Sequence, residues 1–165
     1  MELKFQVYTR IEKPVSEVFR AVQDPDKLSG YFTNGGASAP LNEGTTVQWA
    51  FEDTPGEKVG PFPVKVKRVV PNELISFNWE GAPGGDTLVE MTFEADGPEA
   101  TIVRIAESGW DETEENLKRS YSNCMGWSQM VSALKAYAEY GINLRKGAYG
   151  GLYKAPDKQK RSAGK

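Results

Sequence analysis

Histidine is absent from this 165-residue chain, and cysteine occurs once, as Cys124. Without imidazole there is no Ser-His-Asp or Cys-His triad, no histidine-ligated metal and no general base of the usual kind. A single thiol excludes an internal disulfide and a zinc site built from the cysteines of this chain alone. Cys124 itself falls on an apolar helical face and reads as a small hydrophobe, since nothing imidazole-like stands by to activate it. No apolar run approaches the roughly 20 residues that a membrane-spanning helix needs. The start, Met1-Glu2-Leu3-Lys4-Phe5-Gln6, alternates polar and apolar residues instead of joining a basic patch to an apolar segment, so no secretory signal is visible and the expected location is cytoplasmic. The phosphate-cradling patterns G-x-G-x-x-G and G-x-x-x-x-G-K-[ST] are both missing, which leaves nucleotide binding by those routes without support.

What is present is an ordinary globular composition, 39% apolar and 26% charged, in a length that suits one core. The charge is unevenly placed. Residues 145–165 hold seven Lys or Arg against Asp157, a net +6, so residues 1–144 carry −9 of the total −3. The basic stretch includes Gly147, Gly150, Gly151, Pro156 and Gly164 and has no periodic apolar pattern. It is expected to be a solvated, flexible tail and not a nucleic-acid surface, with residues 1–144 forming a single domain.

Apolar residues at 3, 5, 7 and 11 give the first strand, which Pro14 ends. Val15, Val18, Phe19 and Val22 then recur at helical spacing, and Asp24-Pro25 starts a second short helix with Leu28, Tyr31 and Phe32 on its apolar side. Alternating runs follow at 47–51, 64–66, 75–79, 89–93 and 101–105, with a Pro/Gly-rich loop expected over 54–63 and a hairpin at Asp96-Gly97-Pro98. The chain closes with a long helix, with Asp111 and Glu114 at capping-box spacing, an apolar stripe through Leu117, Tyr121, Cys124, Trp127, Val131 and Leu134, and a stop at Gly141. The fold class is therefore α+β: a curved antiparallel sheet of about six strands, two short helices after the first, and one long carboxy-terminal helix covering the apolar face.

That order resembles the helix-grip proteins of the START-like, SRPBCC superfamily, and more narrowly the branch similar to the carboxy-terminal domain of the activator of Hsp90 ATPase. The resemblance is carried by I-E-K-P-V-S-E-V-F-R-A-V-Q-D-P-D-K-L at 11–28, V-P-N-E-L-I-S-F-N-W-E at 70–80, V-E-M-T-F-E at 89–94 and T-I-V-R-I-A-E-S-G-W at 101–110. None of these is a catalytic signature, so the resemblance speaks to fold more than to activity. It implies a cavity between sheet and long helix holding an apolar or aromatic small molecule, with Trp49, Phe51, Phe77, Trp79, Met91, Phe93, Val103, Tyr121, Trp127 and Val131 as the lining. Two further readings stand beside this one: a chaperone-regulating protein partnered by Hsp90, and an enzyme similar to polyketide cyclases or dehydratases.

For each lining ring the alternative is simple core packing. Glu90 and Arg104, on neighbouring strands, are expected to pair across the hairpin; with Tyr121 they are the weak candidates for proton transfer. Asp111, Glu112, Glu114 and Glu115 suit a helix start better than a cation site. No cofactor and no metal are expected.

Overall fold

The inward face of the sheet follows directly from alternation. On residues 101–107 the side chains of Thr101, Val103, Ile105 and Glu107 are all buried, and on residues 87–93 so are those of Thr87, Val89, Met91 and Phe93. A period of two puts each set on one face of its strand. Antiparallel register sets Met91 opposite Ile105 and Val89 opposite Glu107, so the two sets form one surface.

The computed structural model describes residues 1–152. Among them the elements run β1 (Leu3–Ile11), α1 (Val15–Gln23), α2 (Pro25–Ser29), β2 (Gly36–Ala37), β3 (Thr46–Thr54), β4 (Glu57–Val70), β5 (Leu74–Ala82), β6 (Gly85–Ala95), β7 (Thr101–Trp110) and α3 (Glu114–Tyr140). The seven strands form one antiparallel sheet in the order β1-β7-β6-β5-β4-β3-β2. The sheet is curved and the fold α+β, as the sequence pattern predicts; the additional strand is the two-residue β2, too short to show a period. Residues 153–165 of the expected tail lie outside the described residues.

The stretch 54–63 is not the loop that its prolines and glycines suggest. Strand β3 runs to Thr54 and β4 begins at Glu57, joined by Pro55-Gly56 with Gly56 at φ +82°. Pairing of β4 with β5 begins only at Val64, so Pro61 and Pro63 sit where that side of the strand has no neighbour to receive an N–H. The amino-terminal cap of α3 is likewise Thr113 and not Asp111: its hydroxyl accepts from the Asn116 amide. At the other end Gly141 stops the helix in the left-handed conformation, φ +67°.

Helix α3 packs chiefly along β1, where Lys135 reaches the Arg10 carbonyl and also pairs with Glu139. Helix α1 covers β6 and α2 lies against β2. This arrangement closes the core around Ile11, Val22, Leu28, Phe77, Met91 and Leu134 and leaves the β3–β5 side of the sheet under the amino-terminal half of α3 less completely covered.

Tyr31, fully buried just after α2, donates its hydroxyl to the Ala21 carbonyl at 3.1 Å and stacks on Tyr137. Burial, with a smaller contribution from Tyr137, pushes its phenol well above the usual range. Because the folded value is raised, Tyr31 contributes full stability below the unfolded phenol value of about 10 and progressively less as pH rises past it. Tyr31→Phe is expected to cost about 1 kcal/mol at neutral pH and to flatten the alkaline fall. Urea melts of both proteins from neutral to strongly alkaline pH check this, and parallel pH profiles would contradict it.

Candidate functional site

The central feature of the site is a carboxylate that makes no ion pair among the described residues. Glu107 is fully buried on the inward face of β7, where the 101, 103, 105 alternation carries on. Four donors converge on it. Its Oε1 accepts from Trp79 Nε1 at 3.0 Å, Thr87 Oγ1 at 2.6 Å and Asn123 Nδ2 at 3.0 Å, and its Oε2 accepts from Trp127 Nε1 at 2.7 Å. A buried carboxylate is tolerated only when its desolvation is offset by such bonds.

Beside it lies a second acceptor. The Gly81 carbonyl accepts from Trp110 Nε1, Arg119 Nε and Asn123 Nδ2 at 3.2, 3.3 and 3.1 Å. Only glycine fits at 81, because an added Cβ would lie 1.9 Å from Thr87 Oγ1 and 2.4 Å from Glu107 Oε1. Arg119, Asn123 and Trp127 are spaced four residues apart, on one face of α3. The amino-terminal half of the helix therefore docks on the sheet by hydrogen bonds, whereas the carboxy-terminal half docks through Met130, Val131 and Leu134.

Above this network opens a cleft of about 250 Å³ between α3 and strands β3–β5. Phe32, Phe51, Trp79 and Trp127 provide its aromatic wall, Val59 an aliphatic patch, and Arg119, Ser122, Asn123, Gly126 and Gln129 the helix side. The rings contact one another: Trp79 and Trp127 centroids are 5.3 Å apart, Phe32 and Phe51 5.2 Å, Phe32 and Trp127 5.6 Å. Two of these rings are fixed by the bonds from their indole nitrogens to Glu107, so the carboxylate acts from behind the wall to set ring orientation. Trp49, in edge contact with both Phe32 and Trp79, keeps a buried Nε1 with no hydrogen-bond partner among the described residues.

One end of the cleft is closed by the segment 141–152. Arg145 makes a bidentate pair with Asp53, Nε to Oδ1 and Nη2 to Oδ2 both at 2.8 Å, with side chains only 13% and 6% exposed. Its guanidinium lies 4.8 Å from the Phe51 ring centre, 5.2 Å from Tyr149 and 5.7 Å from Phe32. Asn34 Nδ2 adds a bond to Asp53, and the Gly151 amide bonds Thr54 Oγ1.

Of the ten residues suggested as lining, Phe51, Trp79 and Trp127 border the cleft. Trp49, Phe77, Met91, Phe93, Val103 and Val131 are packed in the core behind it. Tyr121 is 65% exposed on the outside of α3, because the helix turns Ser120 and Asn123 inward in place of the apolar stripe. Glu90 and Arg104 do not pair: Arg104 stands opposite Thr92 and bridges Glu94 at 2.6 Å, and both Glu90 and Arg104 lie on the face away from the core. The proton-handling candidates thus stand apart from the cleft. Sequence reasoning missed Glu107, Asn123, Arg119, Phe32 and the Asp53–Arg145 pair. Among the described residues, no group of His, Cys, Asp or Glu is arranged to hold a metal ion, and no helix is long and apolar enough to cross a membrane.

A curved antiparallel sheet gripping a long terminal helix, with two short helices after the first strand, defines a START-like helix-grip protein. The profile of the Activator of Hsp90 ATPase homolog 1-like protein family matches residues 12–139, and the chain belongs to that family. Among solved structures it is similar to protein SSP2350 from Staphylococcus saprophyticus, with 25% identity and a TM-score of 0.71, over 87% of this chain and 97% of that one. It is also similar to DynU16, described as a putative protein in the dynemicin biosynthetic locus, with 27% identity and a TM-score of 0.73, over 87% of this chain and 50% of the other. The Aha1 dimer from Colwellia psychrerythraea shares the fold at 23% identity and a TM-score of 0.69, over 86% and 99%. None of the curated proteins compared matches the chain.

Proposed function

We propose that the protein binds a small aromatic molecule in the cleft between α3 and strands β3–β5. The observation that carries this reading is the pair of cleft-lining indoles, Trp79 and Trp127, held in place by one buried carboxylate. Burying Glu107 to fix two rings is costly for mere core filling, and fixed rings are what a stacking site needs. The volume, about 250 Å³, is just below the usual range of roughly 300–1,000 Å³ for drug-sized ligands, so a guest of one or two fused rings fits. Binding is favoured over catalysis because the only lining carboxylate among the described residues, Asp53, is committed to Arg145, while the remaining polar groups position a guest better than they move protons.

Thermal unfolding with naphthol, indole and a long-chain fatty acid tests the reading. Naphthol or indole in large excess over its dissociation constant is expected to raise Tm by about 5 °C and to quench tryptophan emission, with the fatty acid inactive. Trp79→Leu is expected to weaken ring binding about tenfold. Absence of both a Tm shift and quenching with every ring compound would remove the proposal.

A further inference from the structure

We infer that the cleft selects aromatic anions, the acid group being held by Arg119 while the ring lies against Trp79 and Trp127; this rests on the binding function proposed above and names its ligand class. Among the described residues, three charged ones line the cleft: Asp53, Arg119 and Arg145. Two of them cancel, since Arg145 is bidentate on Asp53 and both side chains are nearly buried. Arg119 is left as the net charge of the lining. Its Nε donates to the Gly81 carbonyl at 3.3 Å, and among the described residues no carboxylate lies within ion-pair distance of it. That bond holds the guanidinium while leaving both terminal nitrogens without a partner among the described residues, the donor pair that suits a planar carboxylate.

The carboxylate of Glu107 does not contradict an anionic guest. It lies behind the wall, outside the lining, with its two oxygens turned to four donors. Nor is a positive lining a by-product of composition, because residues 1–144 carry −9. An aromatic wall fixed on one side and an uncommitted guanidinium at the helix side match a molecule with a flat ring and one acid group. A neutral ring would leave the cation unused, and an aliphatic acid would leave the rings unused.

Calorimetric titration of the full chain with naphthoate and with its neutral counterpart naphthamide, at neutral pH and low salt, tests this. Naphthoate is expected to bind about tenfold more tightly, the preference shrinking at high salt because a partly exposed pair is screened. Arg119→Gln should bring the two ligands within about twofold of each other, chiefly by weakening naphthoate, and Arg119→Lys should keep part of the preference because it keeps the charge without the fork. Thermal melts of both variants verify folding. Equal affinity in the unaltered protein would overturn anion selection, a preference that survives in Arg119→Gln would overturn Arg119 as its source, and either result leaves the aromatic-binding reading intact; no binding of either compound would remove both.

Discussion

Glu107→Ala is expected to lower the unfolding free energy by about 4 kcal/mol, most of it from stranded donors. The substitution deletes one acceptor group and leaves Trp79 Nε1, Thr87 Oγ1, Asn123 Nδ2 and Trp127 Nε1 facing a void. Asn123 keeps its bond to Gly81 and Thr87 can turn its hydroxyl, but neither indole makes another hydrogen bond among the described residues. Each stranded buried donor costs roughly 1–3 kcal/mol, and water entering the space recovers part of that. Removing the charge returns some desolvation energy, which keeps the total below the simple sum. Glu107→Gln separates geometry from charge. Its oxygen can replace Oε1 and satisfy three donors, but its amide nitrogen then meets Trp127 Nε1, donor against donor. A loss of about 1–2 kcal/mol follows, with a change in tryptophan emission that Ala and Gln share. Urea midpoints at unchanged slope measure both. An alanine variant losing under about 1 kcal/mol would mean that the indoles are held by packing alone.

The sheet and the long helix over its apolar face were legible because they rest on periodicity. Alternation in 75–79, 89–93 and 101–105 and the three-and-four spacing after 126 report the same apolar core from both sides. The site was legible only in its aromatic half, for a physical reason: its polar half breaks those patterns. Glu107 occupies an inward position, yet a carboxylate there ends the apolar run and reads as the edge of the strand. Extending the period of two by one step would have marked it as buried, and would have marked Glu90 and Arg104, in the opposite phase, as outward. In α3 the apolar stripe fails between Leu117 and Trp127 because the side chains turned inward there, Ser120 and Asn123, bond to acceptors in place of burying carbon. Tyr121 filled that gap in the pattern but stands exposed in the molecule, and Cys124 is half-buried. The Asp53–Arg145 pair joins residues 92 positions apart, and no local signal connects them; composition alone described Arg145 as part of a solvated stretch.

That pair gives the second large effect. Asp53→Ala is expected to free the segment 141–152 while leaving the domain folded. Arg145 without Asp53 would be an unpaired guanidinium at 13% exposure, a situation costing about 3–5 kcal/mol when a buried pair loses one member. The segment's ring contacts, of about 0.5–2 kcal/mol, and the Gly151 amide bond to Thr54, about 1 kcal/mol, are each weaker. Apart from Arg145 and Tyr149 its side chains are exposed, so little apolar surface opposes release. Detachment returns the cation to water more cheaply than the domain can bury it. Amide hydrogen exchange over 141–152 should then quicken about 100-fold, and a solute quencher should reach Trp79 and Trp127 more readily, with the global urea midpoint little changed. Arg145→Ala breaks the pair from the other side, leaving Asp53 with Asn34, and the double variant should be no worse than either single one, since the two residues act as one latch. Exchange as slow in Asp53→Ala as in the unaltered chain would show that rings and backbone hold the segment without the ion pair.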